Sequence, residues 1–274
     1  MNKVWLITGA KSGFGRALTE AAVAAGDVVV AAVRRTETLA DVVAAHPDQV
    51  DAVPLDVTDV AAVNAAVSSV IARYGRLDVL VNNAGRGHVG AFEETTDEEL
   101  RSLFDVHVFG PAALVRAALP HMRERRSGAI VQMSSMGGQL SFAGVSAYSG
   151  TKFALEGLSE GLADEVGRLG IKVLIVEPGA FRTGLWGSTS RSREIADYAD
   201  SVGPTRRLVV DADGTQAGDP AKAAAAILVA LDAPETPLRL ALGADAVDAI
   251  SGHLDQVRAD LTAWEDHARN TAFG

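Results

Sequence analysis

Two stretches of this chain combine residue types and spacing that can do chemistry. The first is Thr8-Gly9-Ala10-Lys11-Ser12-Gly13-Phe14-Gly15, at the end of the apolar run 4–8. A glycine-rich turn from a strand into a helix lets backbone N–H groups approach a phosphate, and the helix N-terminus adds a favourable field. Gly9 would permit the tight turn, and Gly13 and Gly15 the close approach of a ligand and of the helix. No Gly-Lys-Ser/Thr follows, so this is not the phosphate loop of nucleoside triphosphatases. The second stretch is Tyr148-Ser149-Gly150-Thr151-Lys152, with Ser135 thirteen positions before the tyrosine. A free tyrosine, with a pKa of about 10, is a poor base at neutral pH. A lysine one helical turn away lies on the same face and favours tyrosinate. A serine hydroxyl in reach of the same oxygen can stabilise charge that develops there. Taken singly, three glycines at a turn and a tyrosine on a helix surface are ordinary.

A framework of strands and helices must position these groups. Short β-branched runs at 4–8, 28–33, 50–55, 79–82, 129–134 and 172–177 read as strands. Segments of helical composition at 14–25, 37–45, 59–74, 97–123 and 147–169 follow the first five. That alternation predicts βαβ crossovers and a parallel sheet covered on both faces. A last unit, with a helix at about 219–232, a strand at 238–242 and a helix at about 245–268, closes the fold. The segment 184–218 is rich in Gly, Ser, Arg and Asp and interrupts the alternation. A connection of that length in a compact domain is usually functional or mobile. No linker, repeat or low-complexity tract divides the chain.

Further pieces stand in order along this framework: Leu55-Asp56-Val57 after the third strand, Asn82-Asn83-Ala84-Gly85 after the fourth and Ser134-Ser135 after the fifth. With the glycine turn and Tyr148-x-x-x-Lys152, they make the chain resemble the short-chain dehydrogenase/reductase family, in the branch with Gly-x-x-x-Gly-x-Gly. The resemblance runs from residue 3 to about 183. It implies an α/β fold, a single Rossmann-type doubly wound domain over 1–274, with a parallel sheet of about seven strands and a substrate lid at 184–218. It implies that Tyr148 is the general acid and base, Lys152 its partner and Ser135 the group that polarises a carbonyl. Gly9, Lys11, Ser12, Gly13, Phe14, Gly15, Asp56, Val57, Asn83, Ala84 and Gly85 are then expected to contact a nicotinamide cofactor, Asp56 at the adenine. Tyr148, Lys152, Pro178, Gly179 and Thr183 are expected at its nicotinamide end, with the Thr183 hydroxyl on the carboxamide. Taken alone, Pro178-Gly179 also reads as a turn and Thr183 as a helix cap. The chain departs from the family at His107, where relatives carry an asparagine in a local helix break whose carbonyl holds a relay water. Beside Lys152, and buried, His107 is expected to be neutral and to act as a hydrogen-bonding spacer in the proton relay. The plain alternative is a helix histidine with no part in the chemistry. The helices at 97–123 and 147–169 resemble those that pair in family dimers and tetramers, so a homodimer or homotetramer is expected.

The end of the second strand bears on cofactor choice. Ala31-Ala32-Val33-Arg34-Arg35 lacks the carboxylate with which NAD-specific relatives hold both ribose hydroxyls. An arginine fork suits a 2′-phosphate, which a carboxylate would repel. NADP(H) is therefore the expected cofactor, with Arg34 as main contact, Ser12 and Arg35 in support and Lys11 adding charge.

Composition narrows the rest. The chain has 274 residues, 48% hydrophobic and 22% charged, as in a folded globular protein. A net charge of −10 argues against nonspecific binding to nucleic acid or anionic membrane. Zero cysteines excludes disulfides and thiolate metal sites, and the histidines and methionines show no ligand spacing, so no metal is expected. No apolar stretch reads as a signal segment or membrane span, which makes the cytoplasm the expected location. The substrate is expected to be a small molecule bearing a carbonyl or alcohol, and residues 137–145 and 184–218 its determinants. Phe142, Leu185, Trp186 and Tyr198 could line an apolar pocket, and Arg191, Arg193, Arg206 and Arg207 could hold an acidic group. A nucleotide-sensing protein with the same fold and little turnover is the main alternative. A sugar-nucleotide epimerase is a poorer one, since those relatives have a different glycine spacing.

Overall fold

The computed structural model describes residues 2–273. Alternation of side chains along β-branched runs decides which residues face which layer. In β1 (Val4–Thr8), Trp5 and Ile7 join one apolar cluster while Val4 and Leu6 join another. The same division runs through β2 (Val28–Val33), β4 (Val79–Asn82), β6 (Gly128–Met133) and β7 (Ile171–Pro178), so both faces of the sheet are buried. With β3 (Val50–Pro54) and β9 (Arg239–Leu242), these form a seven-stranded parallel sheet in the order β3-β2-β1-β4-β6-β7-β9. One face is covered by α1 (Gly13–Ala24), α2 (Ala40–Ala45) and α8 (Pro220–Asp232). The other carries α3 (Val60–Tyr74), α5 (Gly110–Arg125) and α6 (Ser146–Val166). The chain winds from β1 out to β3, then resumes at β4 on the other side of β1. Such a reversal opens a crevice beyond the carboxyl ends of the two central strands.

The expected α/β class and seven strands are found, with boundaries shifted by about one residue. Four features differ from the sequence expectation. The helix expected at 97–123 is α4 (Asp97–Phe104), a wide π turn over Asp105–Phe109, then α5. Residues 184–218 are not irregular throughout: they contain α7 (Ala199–Asp211) and β8 (Ser190–Arg191). The latter pairs in parallel with β5 (His88–Val89), forming a second small sheet. The last helix is α9 (Ala244–Ala263), which breaks at Trp264 before the short α10 (Glu265–Arg269). Finally, Asp97–Arg125 is long and apolar enough by composition to cross a membrane, contrary to the expectation that no stretch is. Half of its apolar window is buried inside the fold, as in the core helix of a globular protein.

Candidate active site

The glycine turn lies at the crevice, and its shape follows from its neighbours. Gly9 (φ +66°) and Gly13 (φ +55°) have left-handed backbone, which a side chain disfavours. A Cβ on Gly13 would lie 2.8 Å from the Thr183 side chain, and one on Gly15 2.6 Å from Asn83 Nδ2. The turn is therefore a cradle with no room for side chains, bounded by Asn83, Ala84 and Thr183. Asn83 holds it there, its amide donating to Thr8 O (2.8 Å) and Gly9 O (3.2 Å). The Thr8 hydroxyl accepts the N–H groups of Asn83 and Ala84, both at 3.0 Å. Ser12 occupies the N-cap of α1 without a capping side-chain bond, and no acidic residue lies in the first turn. The cradle thus presents uncapped helix N–H groups and no negative charge, which fits a phosphate. Phe14 turns inward and packs on Phe181, ring centres 5.1 Å apart.

Ser135, Tyr148, Lys152 and His107 converge at the next strand end along the crevice. Ser135 Oγ accepts the Gly137 N–H at 3.0 Å, which fixes the hydroxyl toward Tyr148. Lys152 Nζ donates to Met133 O at 2.8 Å and sits 5.7 Å from the Tyr148 ring centre. The His107 ring stands edge-on to Tyr148, centres 5.6 Å apart. Its Nε2 accepts the Arg86 N–H at 3.1 Å, and its Nδ1 lies 2.8 Å from Thr151 Oγ1. That hydroxyl donates to Tyr148 O at 2.7 Å. An amide can only donate, so Nε2 carries the lone pair and the proton sits on Nδ1.

The electrostatics are those of a dry site. Burial holds His107 well below its ordinary value, helped by the charges of Lys152 and Arg86, so the ring is neutral as expected. Burial pulls Lys152 down to about 8. Burial pushes the Tyr148 phenol up, opposed by its bond with Ser135. This differs from the expectation that Lys152 lowers the tyrosine. The reason is geometric: the ammonium is directed at the Met133 carbonyl, over the ring rather than at the hydroxyl.

The remaining expected residues lie along the same edge of the sheet. Lys11, Arg34 and Arg35 are exposed, and Arg35 is 3.8 Å from Glu37. Arg34 is near enough to help lower the Asp56 carboxyl, whose Oδ1 chiefly accepts the Thr58 N–H and hydroxyl. Val57 is buried beneath Gly110, and Gly85 lies against His107 Nε2. Pro178 ends β7, and Asp245 holds the next turn by accepting the Ala180 N–H at 2.7 Å, leaving no room for a side chain at Gly179. Thr183 caps no helix; its side chain faces Gly13.

Several contributors escape a sequence reading. Thr8, Thr151 and the Arg86 N–H act through tertiary bonds that no local spacing announces. Behind Lys152 lies a buried acidic pair, Glu156 and Glu177, bridged by Arg239 at 3.0 and 3.5 Å. Only Glu156, one turn after Lys152, could have been suspected from spacing. The segment 184–218 is anchored by Arg206 on buried Glu94 (2.5 Å) and by His88 between Ser190 and Ser192 (2.9 and 3.0 Å). Arg206 is therefore already paired, and Tyr198 donates to Glu93 at 2.5 Å.

A doubly wound sheet with a glycine cradle at its reversal defines the chain as a Rossmann-type α/β protein. The profile of the family described as short chain dehydrogenase matches residues 3–194. A short-chain dehydrogenase of known structure from Streptomyces avermitilis is 65% identical, with all of both chains covered and a TM-score of 0.96. Oxidoreductase BOA17 of Botryotinia fuckeliana is 36% identical over 268 residues, 97% of this chain and 98% of its own. The 3-ketodihydrosphingosine reductase of Bacteroides thetaiotaomicron is 36% identical over 245 residues, 88% of each chain. Solved structures of the same fold carry NAD or NADP. The chain belongs to the short-chain dehydrogenase/reductase family of oxidoreductases.

Proposed function

We propose that this chain is an NADP(H)-dependent oxidoreductase that interconverts an alcohol and a ketone or aldehyde, with Tyr148 as general acid and base. The observation that carries the reading is the convergence of Ser135, Tyr148 and Lys152 beside a cradle suited to a dinucleotide. The cradle residues Gly9, Ser12, Gly13 and Gly15 would hold the pyrophosphate, Asp56 and Val57 the adenine side, and Asn83 to Gly85, Pro178, Gly179 and Thr183 the nicotinamide half. When bound, the cofactor supplies or accepts a hydride. The chain's own residues do the rest. The Ser135 hydroxyl donates to the substrate oxygen, and Tyr148 gives that oxygen a proton in reduction or takes one in oxidation. Lys152 would favour tyrosinate, against the burial that disfavours it, once its ammonium turns from the Met133 carbonyl toward the phenol. Residues 184–218 cover the substrate from their anchored base, and 1–274 act as one domain.

NADP(H) is favoured by Arg34 and Arg35 at the end of β2 and by the missing carboxylate there. Losing a charge-assisted contact to the 2′-phosphate should weaken binding by about 1.5–3 kcal/mol. Titration of NADPH and NADH into the wild type and Arg34→Ala tests this. NADPH should bind more tightly to the wild type, and the substitution should erase most of the difference; tighter NADH binding to the wild type ends the claim. A panel of ketones and aldehydes with NADPH, and of alcohols with NADP+, tests the reaction. No turnover of any of them would favour a nucleotide sensor.

A further inference from the structure

The C-terminal helix leaves the body of the protein almost as soon as it starts. Only Ala246 and Ile250 of α9 are buried, and no residue from 251 to 273 is. A helix of twenty residues is about 30 Å long, so most of it stands in water. An isolated helix of this length is marginally stable without an apolar face to pack, and this one carries Gly252 within it.

Its apolar residues are not scattered. Val247, Ile250, Leu254, Val257, Leu261 and Trp264 recur at alternating steps of three and four, the a and d positions of a heptad. Leu254, Val257, Leu261 and Trp264 are 41–68% exposed. The stripe touches the body at Ile250 and continues beyond it, with none of the described residues to cover it. Between 244 and 269 six carboxylates stand against two arginines, which disfavours an anionic membrane surface as the cover.

The charges beside the stripe select a partner. A second copy of the helix laid parallel and in register would put Asp260 against Glu265 and His253 against Arg258. Laid antiparallel about a twofold axis between Leu254 and Val257, it pairs Leu254 with Val257, Ile250 with Leu261 and Val247 with Trp264. The flanks then bring Asp260 beside His253 and Arg258 beside Ser251, with no like charges opposed. The five exposed apolar residues all meet apolar side chains in that one register, Leu261 at the edge of the body beside Ile250, and such a self-complementary patch is what an isologous contact needs. We propose that the α9 stripe is an association surface for a second copy of this chain, joined as an antiparallel helix pair.

The test is the mass of the full-length protein in solution by light scattering, for wild type and for Leu254→Glu/Leu261→Glu. Both positions are solvent-exposed within one chain, so the variant should fold and keep its cofactor binding. Its assembly should have half the wild-type mass at the same micromolar concentration; equal masses overturn the proposal. The absence of cysteines allows a second measurement. Val247→Cys/Trp264→Cys should form a disulfide-linked dimer under mild oxidation, and neither single variant should. Linkage through either single variant would mean parallel helices, and no linkage in the double variant would mean no pair; either overturns the proposal.

Discussion

Both ring nitrogens of His107 have fixed partners, and this decides what the residue can do. With Nε2 accepting the Arg86 amide and Nδ1–H given to Thr151, the imidazole joins the Asn83–Gly85 loop to the first turns of α6. A neutral ring with both nitrogens held in fixed bonds is poorly placed to exchange a proton, so His107 is expected to act as a positioning residue rather than an acid. Asparagine also offers an acceptor and a donor, so His107→Asn should keep most activity and the wild-type pH profile. His107→Leu leaves the Arg86 N–H and Thr151 hydroxyl without their partner, at about 1–3 kcal/mol for each group if it stays buried. It should raise KM for the cofactor, because the loop moves, more than it shifts any inflection in the pH–rate curve. A wild-type inflection near neutral pH that vanishes in His107→Asn would show that the ring titrates in turnover after all. Tyr148→Phe is the complementary control: it keeps the ring and deletes the hydroxyl proposed as proton donor. Turnover should collapse while NADPH affinity stays nearly intact, whereas Lys152→Ala should damage both.

At the scale of elements, α6 is the part that organises the site, carrying Tyr148, Thr151, Lys152 and Glu156 on successive turns. Glu156 and Glu177 press together behind Lys152, and burial with the neighbouring carboxylate pushes Glu177 up to about 7. The folded chain therefore keeps a proton on Glu177 that the unfolded chain loses from pH 4.5 upward. The contribution favours the fold below that point and is lost as pH rises through 7. Glu177→Gln removes the titration while leaving an amide for Gln139 to meet. The variant should match wild type near pH 4.5 and be the more stable of the two at pH 8. Urea denaturation at both pH values checks this, and a gap that does not change with pH counts against it. These elements were unequally legible. The seven strands were readable because parallel strands buried on both faces write themselves as continuous apolar runs. The glycine turn, Ser135 and Tyr148-x-x-x-Lys152 were readable because their chemistry needs fixed spacing along one strand end or one helix face. The small sheet of β5 and β8 was not, because it joins two-residue strands about a hundred positions apart. Helix α7 was hidden by Gly203 and Pro204, poor helix formers that tertiary packing overrides. Glu177 reads as the end of an apolar strand, and only the fold brings it to Glu156.

At the scale of the whole molecule, the face formed by α4, the π turn and α6 is a second apolar surface. Phe109 is 60% exposed on the π turn and Phe153 45% exposed on α6. Beside them a groove of about 390 Å³ runs between Leu100, Phe104 and Phe109. The resemblance that led to an expected homo-oligomer places pairing on these same helices. The C-terminal stripe lies on a different element, so each surface can carry its own twofold axis. Two perpendicular twofolds close into a D2 tetramer, the commonest closed assembly after the dimer. The two contacts can be broken separately. Removing an apolar side chain from such a contact costs about 1.5–3 kcal/mol, and a charge in its place costs more. Phe109→Glu/Phe153→Glu should therefore raise the dissociation constant at the face of α4, the π turn and α6 by at least 100-fold. A tetramer built on both contacts should fall to a dimer held by the C-terminal helices. Adding Leu254→Glu/Leu261→Glu should give a single chain of 28.4 kDa. Light scattering across the four proteins reads the order directly. If Phe109→Glu/Phe153→Glu alone yields the single chain, the C-terminal pair does not hold by itself. If it leaves the wild-type mass, the face of α4 and α6 is not an interface, and the two phenylalanines belong beside the substrate or another protein.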